Sequence, residues 1–151
     1  MAPTTTVSES AGERNARESA ASYLEYSAFS RSGLVEQLEY EGFTTAQAEY
    51  GTDAQNADWN EQAALSAASY LEYSAFSRSG LVEQLEYEGF TTAQAEYGTD
   101  AQNADWNEQA ALSAASYLEY SAFSRSGLVE QLKYEGFTTA QAEYGATAVG
   151  L

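Results

Sequence analysis

The feature that most constrains the fold is an internal repeat with a period of 47 residues, from Ser19 to Ser66. Segment 19–65 is identical to segment 66–112, and a third copy, which starts at Ser113, differs only at Lys133 until it diverges after Gly145. A fixed period of this size is typical of an array of small structural units that stack on one another. Identity this complete indicates either a recent tandem duplication or an engineered copy of one unit, and the residues do not separate the two.

The start of each full copy predicts a long helix. In the second copy Asp58 is followed by Glu61 three residues later, which is the pattern of a capping box. Small and apolar residues then recur at spacings of four, three and four, as on one face of a helix of about 17 residues. We predict that this buried face consists of Ala64, Ala68, Leu71 and Ala75.

Two shorter helices are predicted to follow. Ser77 is a candidate N-cap for the second helix, and Gly89 is placed to end it in a left-handed conformation. Thr91 and Gln94 form a second capping-box pattern, and we predict that Gly98 closes the third helix. The buried stripe of the second helix is predicted to be Leu81, Val82 and Leu85.

These signals predict an all-α fold, a tandem array of three near-identical 47-residue three-helix (helix-turn-helix-like) repeats. We predict a flexible polar leader at 1–9, which looks like what remains when an export or anchoring segment has been left off, and repeats at 10–56, 57–103 and 104–151. The first repeat has Gly12 where the others have Trp59 and Trp106, as expected for a polar end cap. The two tryptophans are therefore predicted to pack between repeats; the alternative is that each belongs to the core of its own repeat.

Composition and charge exclude several function classes. The chain carries −17 and has no histidine and no cysteine, which removes the commonest general base and the commonest transition-metal ligands. Each full period has eight acidic residues against one arginine, so phosphate groups of nucleic acid should be repelled. No apolar run is long enough to predict a membrane span. A calcium loop that starts at Asp53 fails, because Asp58 and Ala64 stand where glycine and glutamate are needed. We expect no catalytic residue, no metal site and no cofactor.

The second copy reads DWNEQAALSAASYLEYSAFSRSGLVEQLEYEGFTTAQAEY, and this stretch resembles the repeat of the host cell surface-exposed lipoprotein (Ltp) family. The resemblance rests on residues at fixed spacings: Asp58-Trp59, Ala63, Tyr70-Leu71, Phe76-Ser77, Gly80-Leu81, Gln84-Leu85, Glu88-Gly89-Phe90, Ala95 and Tyr97. It implies a protein on the outside of a Gram-positive bacterial envelope that excludes superinfecting phage by blocking DNA injection. The implied partner is a phage tape measure protein. The family's lipid-bearing cysteine is absent from this sequence.

The second helix of each copy is the candidate binding surface, because it combines carboxylates with tyrosines off the apolar stripe. We predict that a protein with a basic segment is bound there, with nucleic acid excluded. The residues concerned are Glu36, Glu39, Tyr40, Glu83, Glu86, Tyr87, Glu130 and Tyr134. The alternative is an engineered or recently amplified structural array with no native ligand, in which the tyrosines are partly covered at contacts between repeats. The sequence predicts no particular oligomeric state.

Overall fold

A computed structural model describes residues 8–151, and the secondary structure of these residues is helical throughout, which confirms the predicted all-α fold. Of the predicted leader 1–9, residues 1–7 lie outside the described residues. A long, a medium and a short helix follow one another three times, as the predicted array of three-helix repeats requires. Repeat 1 contains α1 (Ala11–Tyr26), α2 (Arg31–Tyr40) and α3 (Thr45–Asp53); repeat 2 contains α4 (Trp59–Tyr73), α5 (Arg78–Tyr87) and α6 (Thr92–Asp100); repeat 3 contains α7 (Trp106–Tyr120), α8 (Arg125–Tyr134) and α9 (Thr139–Ala148).

The described part of the chain divides into two compact units, one that ends at Trp59 and one that spans residues 60–151. The first unit has one hydrophobic core, built by α1, α2 and α3. The second unit has two cores, one for each of its repeats. The core of repeat 2 is formed by Ala63, Ala67, Leu81, Val82, Leu85, Phe90 and Ala95, and that of repeat 3 by Ala110, Ala114, Leu128, Leu132, Phe137, Ala142 and Ala146. The predicted stripe of the second helix therefore faces the core.

The predicted stop of the second helix is confirmed at Gly89, whose φ of 103° lies in the left-handed region that glycine tolerates best. The Gly89 backbone N–H donates to the Glu86 carbonyl at 2.9 Å, and the Phe90 N–H donates to the Leu85 carbonyl at 3.2 Å. This pair of bonds is the Schellman motif, which satisfies carbonyl groups at a helix end. The motif turns Phe90, 4% exposed, into the core of repeat 2.

The N-caps predicted at Ser77 and Thr91 are confirmed as well, whereas the capping box of Asp58 and Glu61 stays a prediction. The Ser77 hydroxyl accepts from the Gly80 backbone N–H at 2.9 Å and so caps α5. Thr91 and Gln94 form a complete capping box at the start of α6. In repeat 3, Asp105 caps α7 by accepting from two backbone N–H groups of the first turn. Each cap satisfies donors that the helix itself leaves unpaired, so these boundaries are set by local chemistry.

The predicted buried face of the long helix is wrong by one position. In α4 the buried residues are Ala63, Ser66 and Ala67, and Tyr70 packs against the same core. Of the predicted set, Leu71 is partly buried and packs against this core, Ala64 is half-buried, Ala68 is exposed and Ala75 lies beyond the helix end at Tyr73. Small residues, alanine or serine, occur on every side of this helix, so periodicity alone does not fix which side faces the core.

The prediction that Gly98 ends the third helix is also wrong, because α6 continues through Gly98 to Asp100. A Cβ placed on Gly98 would lie 2.5 Å from the carbonyl carbon of Ala63 in α4. Gly51 has the same distance to the carbonyl carbon of Ala16 in repeat 1. Glycine is therefore required here for close approach of the third helix to the first, and not as a helix stop.

Repeat 1 begins with a polar end, as its sequence predicts. Ser10 and Glu13 form a complete capping box at the start of α1. The carboxylate of Glu9 accepts two bonds from the Arg17 guanidinium, at 2.8 and 3.0 Å, and a third from the Tyr50 hydroxyl at 2.7 Å. These hydrogen bonds, that from Arg17 first, lower the pKa of Glu9 to about 2. The network covers this end of repeat 1 with charged and hydroxyl groups.

Candidate protein-binding surface

The second helices present exposed glutamates and one exposed tyrosine each, on positions outside their buried stripes. In α2 the core side consists of Leu34, Val35 and Leu38, whereas Glu36 and Glu39 are exposed and Tyr40 is 88% exposed. Because a tyrosine ring buried at an interface contributes a large contact area at a low entropic cost, an exposed ring beside carboxylates suits protein recognition. We call this exposed set of glutamates and tyrosines on α2, α5 and α8 the acidic rows.

All eight predicted partner-binding residues lie on these rows and are exposed, namely Glu36, Glu39, Tyr40, Glu83, Glu86, Tyr87, Glu130 and Tyr134. The carboxylate of Glu39 accepts from the Thr45 hydroxyl at 3.0 Å, and Glu86 accepts from Thr92 at the same distance. In repeat 3, Lys133 replaces the corresponding glutamate, and its ammonium lies 3.8 Å from the Glu130 carboxylate. The row on α8 therefore has one acid fewer and one cation more than the rows on α2 and α5.

The glutamate at the end of the second helix of each repeat has a structural role that the sequence analysis did not predict. The carboxylate of Glu88 accepts from the Ser66 hydroxyl at 2.8 Å and from the Tyr70 hydroxyl, and the Gln84 amide donates to the same tyrosine oxygen at 3.2 Å. Burial and the bond to Glu88 raise the pKa of Tyr70. Equivalent bonds join Ser19, Tyr23, Gln37 and Glu41 in repeat 1, and Ser113, Tyr117, Gln131 and Glu135 in repeat 3.

This network engages the carboxylate of Glu41, which follows Glu39 and Tyr40 in the sequence and is itself exposed. The network ties the first helix of a repeat to the end of the second. A signal for it was present in the sequence, because a serine and a tyrosine four residues apart stand at the same distance before a glutamate in every copy. From sequence alone, such hydroxyl and carboxylate residues could equally be unconnected surface groups. Only the fold shows that they bond to one another.

The second unit also contains an open groove of about 590 Å³ between the end of α4 and the length of α7. Its rim includes Tyr73, which is 85% exposed, and Tyr120, which is 87% exposed. Apolar groups of Leu71 and Leu112 lie beside the carboxylate of Glu135 in its lining. The groove therefore adds exposed tyrosine rings and apolar side chains to the surface of the second unit, whereas its Glu135 carboxylate accepts hydrogen bonds from Ser113 and Tyr117.

Each tryptophan lies at the start of a long helix and packs on the core of the preceding repeat. In the first unit Trp59 contacts the cluster that contains Leu34 and Leu38. In the second unit Trp106 contacts the cluster that contains Leu81 and Leu85. How strongly these contacts couple one repeat to the next stays a prediction.

No grouping of three or more potential metal-ligating side chains occurs within residues 8–151. The same part of the chain has no helix that is both long and apolar enough for a membrane span.

The family model described as host cell surface-exposed lipoprotein, Ltp, matches the chain three times, at residues 12–54, 58–101 and 105–149. The chain belongs to this family. Each Ltp match covers one three-helix repeat, and each contains one acidic row. Neither a curated protein nor a solved structure matches the chain.

Proposed function

We propose that this Ltp-family chain is a non-catalytic binding scaffold on the outer face of a Gram-positive bacterial envelope, where it blocks phage DNA injection and so excludes superinfecting phage. The single observation that carries the proposal is the exposure of the acidic rows. Each row offers carboxylates and a tyrosine of which 87–88% is exposed, on a helix whose opposite side is buried in its core. Three such rows on near-identical repeats favour binding over catalysis, because an enzyme rarely needs the same site three times.

The charge of the chain defines the class of partner. At −17 and without histidine, the protein stays strongly acidic across the physiological range. Such a field attracts basic surfaces, accelerates their association and makes that association sensitive to salt. It repels nucleic acid, anionic lipid head groups and anionic wall polymers. The partner is therefore a protein with a basic segment, and a phage tape measure protein is the candidate that the family resemblance supplies.

The repetition of the rows adds avidity if the partner is extended or repetitive, because a second contact then forms at a high effective concentration. Repeat 3 should contribute least to binding, because Lys133 places a cation in its row and pairs with Glu130. Repeats 1 and 2, which keep Glu39 and Glu86 at this position, should contribute most.

The test is charge reversal on the rows of repeats 1 and 2. The variant Glu36→Lys, Glu39→Lys, Glu83→Lys, Glu86→Lys is titrated against candidate phage tape measure proteins at low and at high salt. The control carries the same number of reversals at exposed glutamates on the first and third helices, at Glu25, Glu49, Glu96 and Glu119.

We expect the row variant to lose binding and the control variant to keep most of it, with affinity in the parent falling as salt rises. Equal losses in the two variants would show attraction to net charge and not to the rows. Unchanged affinity in the row variant, or parent binding that is indifferent to salt, would remove the electrostatic basis of the proposal.

The identity of the repeats favours one alternative, a structural array with no native ligand. The encoding DNA distinguishes the two possible origins of such an array, recent duplication and engineering. Repeats that are identical even at silent positions indicate recent duplication, whereas codons varied under a constant protein sequence indicate a manufactured gene.

A further inference from the structure

Within the second unit, one face of repeat 2 is covered by repeat 3, and the contact has a defined chemistry. The Ser77 hydroxyl donates to the carbonyl of Glu135 at 2.6 Å, and the Ser79 hydroxyl donates to the carbonyl of Gly136 at 3.1 Å. The Phe76 backbone N–H donates to the side-chain carbonyl of Gln109 at 3.0 Å. We call the part of a repeat that supplies these donors, at the start of its second helix, the donor face.

An aromatic ring completes this contact. Trp106 packs on the core cluster of repeat 2, to which Val82 and Leu81 belong and against which Phe76 also packs. The contact is also close at the second-helix end of repeat 3, since a Cβ on Gly136 would lie 2.1 Å from the Ser79 hydroxyl oxygen. A repeat that covers a donor face therefore supplies a tryptophan, a glutamine three residues later and two carbonyls at the end of its own second helix.

The donor face of repeat 3 is built from the same residues, but no element within residues 8–151 covers it in this way. Ser77 is 3% exposed, whereas the equivalent Ser124 is exposed. Only 8% of the Val82 surface is exposed, whereas Val129 is only partly buried. The Ser124 hydroxyl instead lies 3.4 Å from the hydroxyl of Ser126, and both side chains are exposed. Repeat 3 thus presents an exposed copy of a surface whose occupant is visible one repeat earlier.

We propose that the donor face of repeat 3 binds the tryptophan-bearing start of a further Ltp-type repeat, one supplied from outside residues 8–151. The occupant is defined by the contact between repeats 2 and 3: an Asp-Trp-Asn-Glu-Gln start that places one indole on the core around Leu128 and Val129, and one glutamine carbonyl on the Phe123 backbone N–H. This surface lies on the start of α8 and is separate from the acidic row of that helix, so the inference goes beyond the proposed phage-directed binding.

The first repeat of a second copy of this chain lacks the tryptophan and the glutamine that the occupant needs. That repeat has Gly12 and Asn15 at the positions of Trp106 and Gln109. It lacks the indole, and the asparagine side chain is one methylene shorter than glutamine. Head-to-tail contacts between copies that do not close into a ring would generate filaments. Gly12 and Asn15 therefore act against self-association while the donor face of repeat 3 stays open to a tryptophan-bearing partner.

The test gives the chain the missing groups. A donor variant carries Gly12→Trp and Asn15→Gln, which recreate the pattern of repeats 2 and 3, together with Ser126→Glu, which blocks its own donor face. The block should not harm folding, since Ser126 is exposed in the first turn of α8, where an acidic side chain is favoured. The acceptor is the unaltered chain, and complex formation is measured by sedimentation velocity and titration calorimetry.

We expect a one-to-one complex between the donor variant and the unaltered chain. A matched donor with only Ser126→Glu, which keeps Gly12 and Asn15, should bind at least about tenfold more weakly, because a buried tryptophan is a typical interface hot spot. Acceptors with Ser126→Glu or with Val129→Asp should lose the complex, with helical content checked by circular dichroism. Absence of a complex at the highest soluble concentration, or equal binding to the blocked acceptors, would overturn the proposal.

Discussion

Gly98 in α6 lies so close to Ala63 in α4 that an added Cβ would be 2.5 Å from the Ala63 carbonyl carbon. Real Cβ contacts do not reach such distances, so the first and third helices of repeat 2 are in contact through their backbones. The same approach occurs between Gly145 and Ala110 in repeat 3, where a Cβ would lie 2.8 Å from the Ala110 carbonyl oxygen. One glycine therefore sets the distance between the first and third helices of each of these repeats. The core that these helices form supports the exposed tyrosines and carboxylates.

The first prediction concerns this contact. Gly98→Ala should destabilise the chain, because overpacking costs about 1–3 kcal/mol and outweighs the gain of up to about 1 kcal/mol in helix propensity. Denaturant unfolding followed by circular dichroism measures the change. As a control, Glu96→Ala on the exposed side of the same helix should change stability by less than about 0.5 kcal/mol. A stabilised Gly98→Ala variant would show that the helices move apart freely.

The second prediction concerns a buried hydroxyl. The Thr99 Oγ atom is fully buried and has no hydrogen-bond partner, whereas repeat 3 has Ala146 at the same position. Thr99→Val keeps the side-chain shape and should raise the free energy of unfolding by about 1 kcal/mol, because an unsatisfied buried polar group is removed. The reverse change, Ala146→Thr, should destabilise repeat 3. A loss of stability in Thr99→Val would mean that the hydroxyl has a stabilising role.

The third prediction concerns coupling between repeats 2 and 3. Trp106→Ala should loosen their contact and cost about 2–3 kcal/mol, somewhat less than the 3–5 kcal/mol typical of a fully buried tryptophan, because this ring is only partly buried. Thermal melting should become biphasic as repeat 3 uncouples. Tyr120→Ala, which removes an aromatic ring that is 87% exposed on the same helix, is the control and should leave the transition single. A single sharp transition with a small shift in Trp106→Ala would contradict coupling through tryptophan.

The fourth prediction concerns pH. Hydrogen bonds from Arg31 lower the pKa of Asp53, and those from Arg78 lower the pKa of Asp100. A carboxyl group whose pKa is lower in the folded state stabilises the fold above its unfolded pKa, and the contribution disappears as pH falls through the folded pKa. The unfolding free energy of the parent should thus fall more steeply below about pH 4 than that of Asp53→Asn/Asp100→Asn.

The size of this effect is limited by solvent. The carboxylates of both pairs are more than half exposed, at 55% and 56%, so each pair should contribute no more than about 1 kcal/mol and less in high salt. Parallel pH profiles of parent and double variant at two salt concentrations measure it. Coincident profiles at low salt would contradict the assignment.

The sequence predicts the parts of this fold that local chemistry decides. Ser77, Gly89 and the Thr91–Gln94 pair mark helix ends because each acts on backbone groups within a few residues. The buried side of α4 was predicted wrongly because an alanine-rich helix has small residues on every side. The sequence predicts a helix stop at Gly98. Its actual role, close approach to Ala63, depends on a neighbour 35 positions away in the chain and cannot be predicted from local sequence.

The candidate site divides in the same way. The exposure of Tyr40 could be predicted, because it lies off the apolar stripe of α2. The engagement of Glu41 could not, because its partners Ser19 and Tyr23 belong to another helix. The donor face could be located only from the contact between repeats 2 and 3, since its residues are identical in every copy.

The most direct measurement of the central claim is a phage challenge. The chain is displayed on a phage-sensitive Gram-positive host, with an export and lipid signal added, beside the row variant Glu36→Lys, Glu39→Lys, Glu83→Lys, Glu86→Lys. The control variant with reversals at Glu25, Glu49, Glu96 and Glu119 is displayed at the same surface density. We predict that the parent and the control lower the plating efficiency of phage by blocking DNA injection and that the row variant does not. Normal plating on cells that display the parent, or equal protection by the row variant, would contradict the account.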